Sequence, residues 1–181
     1  MKEFDTNSVE SVKSRMLRFL FNHFPAYRRS TGRVSFISSD WMEIHVRIKR
    51  NYKNRNYNGT VFGGSIYASI DPIYMLQMIQ IFGKPYVVWD KEAVIKFKRP
   101  IKRKAIARFV FTEDDIIRIR ETVDREGEYS FNMPVEFVDE TGFVYAEIDK
   151  MLYIATKKFY KKKIEKKKLD LQNSIANNTT P

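Results

Sequence analysis

The sequence predicts an α+β fold in which a curved antiparallel sheet wraps around a central helix. After the pair Gly63-Gly64, the chain is apolar on nearly every side as far as Phe82, which is typical of a helix that is buried all round. Stretches that alternate between apolar and polar residues lie before and after this helix, and they predict about six strands. A sheet that curls around the helix would bury all of its sides.

Before the central helix, the sequence predicts an extra N-terminal helix and a hairpin. Residues 6–24 have apolar side chains three and four positions apart, start with Thr and Asn that suit an N-cap, and end before Pro25. Residues 42–48 alternate with one apolar face, and a shorter alternation at residues 34–36 precedes them. The polar residues 38–40 between these two strands predict the turn of the hairpin.

After the central helix, local signals predict four strands and a short helix. Thr112 is a favourable N-cap, three acidic residues follow it, and Gly127 is a C-terminal stop, so the segment between them is predicted to be helical. The alternating segments that predict strands are 93–97, 105–111, 129–137 and 144–154. We expect one domain over residues 1–156 and a basic tail over residues 157–181.

Composition excludes several classes of site. The 181 residues contain no cysteine and only two histidines, which excludes disulfides, thiolate zinc sites and cysteine nucleophiles. We therefore expect no metal and no cofactor. His23 lies at the end of the predicted N-terminal helix, where it would interact with the helix dipole. His45 lies on the polar face of a predicted strand, where we expect it to be exposed.

Positive charge is concentrated near the C-terminal end. The net charge is +11, and residues 157–168 have eight lysines against one glutamate, a net of +7 that leaves +4 for the rest. Such a lysine run, without arginine or a base-stacking pattern, is usually solvated, so we expect no specific nucleic-acid partner. The longest mainly apolar run, residues 73–82, is well short of the roughly 20 residues that span a bilayer. The first residues lack the apolar block of a secretory signal, so we expect a cytoplasmic protein.

A short motif precedes and enters the central helix. Its residues are Asn56, Gly59-Thr60, Phe62, Gly63-Gly64 and, seven positions after the second glycine of the pair, Asp71. The motif and the order of elements resemble the hotdog-fold superfamily of acyl-thioester enzymes. Small thioesterases of the phenylacetyl-CoA type have this spacing, with histidine where this sequence has Phe62. The sequence looks most like a branch of that superfamily known as a domain of unknown function.

The resemblance implies a thioester hydrolase whose active site lies between two subunits. It implies that Asp71 acts as general base or nucleophile, that Asn56 orients the thioester carbonyl or the water, and that the backbone N–H of Gly63 stabilises the oxyanion. The residues implied in substrate binding are Gly64, Thr60, Phe62, Asp90 and Lys91. The implied substrate is an acyl-CoA or acyl-carrier thioester, and the implied assembly is a homodimer or a dimer of dimers.

Each of these residues also has a simpler structural interpretation. Asp71, directly before a proline, could be the N-cap of a helix that begins there. Gly63-Gly64 could be only a tight turn or a place of close packing. Asn56, in an asparagine-rich tract, could be a turn residue. Asp90 and Lys91 could form a solvated or mutually paired strand end.

The same scaffold also allows other functions. A non-catalytic acyl-thioester or lipid binder is one hypothesis, supported by Phe62 in place of the motif histidine and by the aromatic loop before it. A hotdog dehydratase is disfavoured, because dehydration in this superfamily uses a histidine and neither His23 nor His45 lies near the motif.

Overall fold

The computed structural model describes residues 9–178, with side chains as far as residue 172. Within this range the helices are α1 (Val12–His23), α2 (Pro25–Ser30), α3 (Gly63–Ile70), α4 (Ile73–Phe82), α5 (Glu113–Glu126) and α6 (Lys157–Asn178). The strands are β1 (Gly32–Ile37), β2 (Glu43–Lys49), β3 (Tyr86–Phe97), β4 (Lys104–Val110), β5 (Glu128–Val138) and β6 (Val144–Thr156).

The strands form one antiparallel sheet in the order β1-β2-β4-β5-β6-β3. Helix α3 packs against β1 and β2, whereas α4 packs against β3 at the opposite end of the sheet. One pair of helices reaches both ends because the sheet curves around it. The predicted α+β fold, with a curved antiparallel sheet around a central helix and an extra N-terminal helix, is confirmed.

The core lies between these two helices and the concave face of the sheet. Tyr74 of α4 illustrates the packing, since its ring meets Phe109 edge to face at 4.8 Å and its hydroxyl donates to the Pro134 carbonyl oxygen at 2.8 Å. Apolar residues of the strands fill the space around it, among them Val46, Ile48, Ala107, Val135, Phe137, Ile148, Leu152 and Ile154. Burial of these side chains is the main source of stability.

The central helix is present but divided. Helix α3 ends at Ile70, Asp71 follows with helical dihedral angles, and α4 starts at Ile73 after Pro72. Proline has no backbone N–H and clashes with the preceding turn, so the helical hydrogen bonds are interrupted at this point. The break opens the helix backbone next to Asp71.

Local signals identified the hairpin and the fifth helix correctly. Strands β1 and β2 pair around the turn at residues 38–42. At the start of α5, the Thr112 hydroxyl accepts from the Asp115 N–H while the Asp115 carboxylate accepts from the Thr112 N–H. Gly127 closes the helix with φ of 83°, a left-handed conformation that favours glycine.

The N-terminal region differs in detail from the prediction. Helix α1 is capped by Ser11, whose hydroxyl accepts from the Ser14 N–H, and the expected capping residues 6 and 7 lie outside the described residues. Pro25 starts α2, a helix that was not predicted, from the N1 position where proline is favoured. The apolar face of α1 is more than half exposed at Val12, Met16, Phe19 and Leu20.

The two histidines lie outside the motif loop. His23 hydrogen-bonds the Phe19 carbonyl oxygen one turn back, with its Nδ1 at 2.8 Å, in the last turn of α1. The expectation that His45 is exposed is wrong. It is half-buried, because its Nε2 lies 2.6 Å from Glu43 and Arg108 of the neighbouring strand contacts both side chains.

The segment expected to be a basic tail forms α6. Its first turns contact the sheet, with Phe159 against Gly127 and the Lys163 ammonium 2.5 Å from the Glu128 carboxylate. Hydrogen bonds from Lys163 and Tyr153 lower the pKa of Glu128. The boundary between a domain over residues 1–156 and a separate tail stays a prediction.

Candidate active site

A buried lysine lies beside the break in the central helix. Lys150 of β6 is on the concave face of the sheet, opposite Ala93 of β3 and Met133 of β5, and only 1% of its side chain is exposed. Its ammonium donates to the Asp71 carbonyl oxygen at 3.0 Å and lies 3.3 Å from that residue's Oδ1. A buried ammonium is costly without such partners, so the site depends on them.

Asp90 is the second carboxylate at this lysine. Its Oδ2 lies 3.2 Å from the Lys150 Nζ. A β-bulge at Lys91 explains its direction, because the pairing of β3 with β6 shifts by one residue between Asp90 and Glu92. Asp90 therefore shares the concave face with Ala93, although the two are an odd number of residues apart.

The side chain of Lys91, the bulged residue, points away from Lys150. Its ammonium lies 3.4 Å from the Ser130 hydroxyl and 5.8 Å from the centre of the Tyr153 ring. The structure thus separates the two predicted substrate-binding neighbours. Asp90 contacts Lys150, together with Asp71, and Lys91 does not.

The surroundings raise the pKa of two groups near Lys150, the Asp90 carboxyl and the Tyr67 hydroxyl. Burial raises the pKa of Asp90 above its usual range, and the Lys150 ammonium opposes this effect without cancelling it. Hydrogen bonding to Asp71 raises the pKa of Tyr67 to about 12, and the Tyr67 ring lies 5.6 Å from the Lys150 ammonium. The Asp90 Oδ1 is buried without a hydrogen-bond partner among the described residues. One oxygen of this buried carboxyl group is therefore left without a polar partner in the described chain.

The carboxylate of Asp71 is anchored by Lys150 and is also accessible to solvent. Its side chain is 46% exposed, although Lys150 holds one oxygen. Asp71 is not the N-cap of α4, because Pro72 occupies that position and no side chain caps the helix. The Asp71 carboxylate can therefore contact a ligand from solvent.

The motif loop forms a closed turn before α3. The Asn56 Oδ1 accepts from the N–H of Thr60 at 2.9 Å and lies 3.2 Å from its hydroxyl, and the two residues also pair through the backbone. The turn interpretation of Asn56 is therefore correct for its oxygen. Its amide N–H₂ has no partner among the described residues, and the side chain lines a pocket beside Gly63. Thr60 is buried in the same turn.

The two glycines lie between aromatic rings. A side chain at Gly63 would come within 3.1 Å of the Phe97 ring, and one at Gly64 would come within 2.4 Å of the Phe62 ring. A side chain at Gly63 would therefore require the Phe97 ring to shift by a few tenths of an ångström, and one at Gly64 would require the exposed Phe62 ring to move. Phe62 itself is 57% exposed. At the start of α3 the N–H groups of both glycines have no carbonyl partner in the described chain.

A pocket of about 330 Å³ opens in front of this turn. Asn56 and Gly63 line it from the loop, and Phe97, Lys98 and Arg99 line it from the end of β3. Lys98 is paired with Glu147 at 3.0 Å, so Arg99 and the unpaired N–H of Gly63 remain to favour a ligand with a polarised carbonyl or an anionic group.

The glycine turn and Asp71 lie at opposite ends of one helix. Gly63 begins α3 and Asp71 follows its last residue, so the helix rise places them about 12 Å apart. One chain therefore does not bring Gly63 and Asp71 to the same carbonyl group. The sequence-predicted site residues thus lie in two separate groups within one chain.

Sequence reasoning missed Lys150, although a signal was present. The apolar residues Ala146, Ile148, Leu152 and Ile154 recur at alternate positions of β6, and Lys150 occupies the central position of this inward-facing set. A lysine in such a position is unusual, since lysine is almost never fully buried unless it is paired.

Comparisons with known proteins agree on the fold. A comparison with curated proteins finds no significant match. A protein of unknown function from Pseudomonas aeruginosa, described as a probable thioesterase, superposes with a TM-score of 0.69 at 16% identity, covering 81% of this chain and 98% of its own. A protein of unknown function from Chlorobaculum tepidum superposes with a TM-score of 0.64 at 15% identity, covering 80% and 94%. A thioesterase from Haemophilus influenzae does so with 0.58 at 13% identity, covering 82% and 92%.

The chain thus has a thioesterase-like hotdog fold, and the resemblance seen in the sequence is confirmed. No helix in the described range is both long and apolar enough to cross a membrane. A family model matches residues 13–154, and the chain belongs to that family, described as Domain of unknown function (DUF4442).

Proposed function

We propose that this protein hydrolyses an acyl thioester, acyl-CoA or acyl-carrier, with Asp71 as the base. The observation that supports this most is the Asp71 carboxylate, which is half exposed at a helix break while a buried lysine holds one of its oxygens. A carboxylate that is fixed in this way and still reached by solvent can accept a proton from water. Structures of similar fold described as thioesterases support the same class of substrate.

In the proposed reaction a water molecule attacks the thioester carbon while Asp71 accepts its proton. The carbonyl oxygen becomes an oxyanion, stabilised by the N–H of Gly63 and by the amide of Asn56. The C–S bond then breaks, the thiolate leaves, and the proton held by Asp71 passes to the sulfur. The products are a carboxylic acid and a free thiol.

We propose that Asp71 of one subunit faces the glycine turn of its partner. The separation of about 12 Å between Gly63 and Asp71 along α3 supports this arrangement. Strand β3 offers the route for assembly, since it is an edge strand with half-exposed Trp89, Val94 and Phe97. Phe97 also contacts Gly63, so pairing along β3 would bring the turn to the subunit boundary.

Lys150 and Asp90 act as positioning residues in this proposal. The ammonium of Lys150 holds both the carbonyl and the carboxylate of Asp71, which restricts the rotamers of that side chain. Asp90 partly balances the buried positive charge and leaves one unpaired oxygen at the site. Phe62 replaces a polar motif residue, so we expect slow turnover, and Phe62→His is the matching gain-of-function variant.

The direct test is hydrolysis by Asp71→Asn, followed as free-thiol release from short, medium and long acyl-CoAs. The substitution keeps the shape and removes the proton acceptor, so kcat should fall by ~10²–10⁴. Asp124→Asn, on the exposed face of α5, is the matched control and should be unchanged. Equal rates for Asp71→Asn and the wild type would contradict the proposed role of Asp71.

A non-catalytic acyl-thioester binder is the second candidate. The exposed ring of Phe62 at the mouth of the glycine turn favours it, because this apolar group lies where the motif has a histidine. Binding of acyl-CoA without turnover, in the wild type as well as in Asp71→Asn, would assign this function instead.

A further inference from the structure

A second pocket, on the outer side of the sheet, is lined mainly by basic residues, which are five of its eight lining residues. It has a volume of about 330 Å³ and lies where α2, β1, β2 and the following loop meet. Five basic residues surround it: Arg28, Arg33, Arg47, Lys49 and Lys53. No acidic residue lines it.

None of these five side chains is neutralised by an acidic residue between residues 9 and 172. In the described part of the chain none of them forms an ion pair with a carboxylate. Arg33 and Arg47 are direct partners in the pairing of β1 with β2, and both are exposed on the outer face. Like charges directly opposite each other destabilise a sheet, so this pair costs folding energy that an anionic ligand would offset.

We propose that this pocket binds a phosphorylated nucleotide, of the kind that forms the polar end of coenzyme A. Arginine guanidinium groups bind phosphate oxygens in pairs, which suits Arg33 and Arg47 for a phosphate group. Tyr52, also a lining residue, is 86% exposed and has a lysine 5.5 Å from its ring centre. The face of the ring opposite that lysine is available for stacking with a base.

The pocket is connected to the glycine turn through one buried residue. The Asn54 side chain donates to the Thr31 hydroxyl, at the pocket wall, with a distance of 2.8 Å. The Asn54 carbonyl oxygen accepts from the N–H of Phe62, directly before Gly63, also at 2.8 Å. The nucleotide pocket and the turn are thus two sides of the same loop. The assignment to coenzyme A, rather than to another nucleotide, rests on the proposed thioesterase function.

The test is calorimetric titration of the full chain with adenosine 3′,5′-bisphosphate, which has the phosphates and the base but no thioester. Arg33→Gln and Arg47→Gln should each weaken binding by about tenfold or more, because a charged pair with phosphate is lost. Tyr52→Ala should weaken it by about fivefold or more through loss of stacking. Arg125→Gln, an exposed arginine of α5 outside the pocket, is the matched control and should bind like the wild type.

The arginine variants are expected to fold, because each removes one of two opposed like charges and should leave the melting temperature equal or higher. Inorganic pyrophosphate and adenosine serve as separate ligands. Both should bind more weakly than the bisphosphate. Equal affinity for pyrophosphate would overturn the assignment to a nucleotide. Tighter binding of a single-stranded RNA than of the bisphosphate would assign the surface to nucleic acid instead.

Kinetics separate this inference from the proposed function. In Arg47→Gln, KM should rise for acyl-CoA with kcat unchanged, and both should be unchanged for an acyl-pantetheine, which lacks the nucleotide. If thioesters are hydrolysed and Arg47→Gln still binds the bisphosphate normally, the pocket assignment fails alone. If no thioester is hydrolysed but the bisphosphate binds and Arg47→Gln does not bind it, the proposed function fails and the nucleotide pocket stands.

Discussion

The two edge strands of the sheet, β1 and β3, differ in how far other parts of the chain cover their backbone hydrogen-bonding groups. At the β1 edge, the Asn22 side chain hydrogen-bonds the backbone of Val34 as a neighbouring strand would, accepting from its N–H at 2.9 Å and donating to its carbonyl at 2.8 Å. The Glu10 carboxylate accepts from the Ile37 N–H at 3.2 Å. Helix α1 and Glu10, just before it, thus occupy hydrogen-bonding groups with which another strand could otherwise pair.

The β3 edge has no such cover in the described part of the chain. Its twelve residues pair only with β6, and apolar side chains along it are about half exposed. An exposed, long and apolar edge strand is a site of association between chains. The contrast indicates that the first edge is protected against pairing and that the second is available for it, which supports a dimer through β3.

The largest effect is expected from a charge on the open edge. Val94→Lys puts a charge in place of a half-exposed apolar side chain on the strand proposed to pair, so the proposed dimer should dissociate to a 21.5 kDa monomer in light scattering. Because Asp71 would lose its partner's glycine turn, thioester hydrolysis should fall by ~10² or more.

The matched control is Ser35→Lys on the closed edge. Ser35 is exposed on β1, and α1 already covers this edge, so the variant should keep the assembly and the activity of the wild type. Dissociation by Ser35→Lys, or a wild type that is already monomeric at micromolar concentration, would contradict the conclusion that chains associate through β3 and not through β1.

A smaller effect is expected from opening the closed edge. Asn22→Ala removes both hydrogen bonds to Val34, and the free energy of unfolding should fall by about 1–2 kcal/mol, since water can reach part of the freed backbone. Urea unfolding measures this change. We also expect faster aggregation on storage, because β1 then becomes a second open edge. Unchanged stability would show that α1 does not close this edge.

The smallest effect concerns Asp90, on the open-edge strand. Burial raises the pKa of Asp90 in the folded protein, so the native state binds a proton more tightly than the unfolded chain does. The free energy of unfolding should therefore fall as pH rises from about 4 through the folded pKa. Asp90→Asn should lack this decline. Stability measured against pH for both proteins gives the difference, and a rise over the same window would contradict it.

The sequence predicted those parts of the fold that depend on local signals. The hairpin before the motif and the helix between Thr112 and Gly127 follow from alternation and capping, which neighbouring residues determine. The break beside Asp71 was not predicted, because the sequence was interpreted as one helix that runs as far as Phe82. Asp90 and Lys150 lie together only because a bulge at Lys91 changes which residues of β3 face inward. No local preference predicts a bulge at that position.

The arrangement of the predicted site residues likewise depends on tertiary structure that the sequence pattern does not predict. The motif gives the spacing of Asn56, Gly63 and Asp71 along the chain, but the separation of Gly63 and Asp71 in space depends on the rise of the helix between them. Burial of Lys150 is decided by the tertiary partners that compensate its charge. Spacing along the sequence does not contain this information.

Subunit complementation tests the shared active site most directly. Asp71→Asn removes the base, whereas Gly63→Pro removes the backbone donor at the first position of α3, where proline is tolerated after the extended Phe62. Each variant alone should have lost at least ~10² in activity. In a mixture allowed to exchange subunits, half of the dimers combine the two variants, and each such dimer has one intact site.

We therefore expect the mixture to recover about a quarter of wild-type thioester hydrolysis, the share of sites that combine an intact Asp71 with an intact partner turn. Differently tagged copies, purified over both tags, confirm that the mixed dimer has formed. Mixed dimers with no more activity than either parent variant would show that Asp71 and Gly63 do not act on one thioester across the subunit boundary.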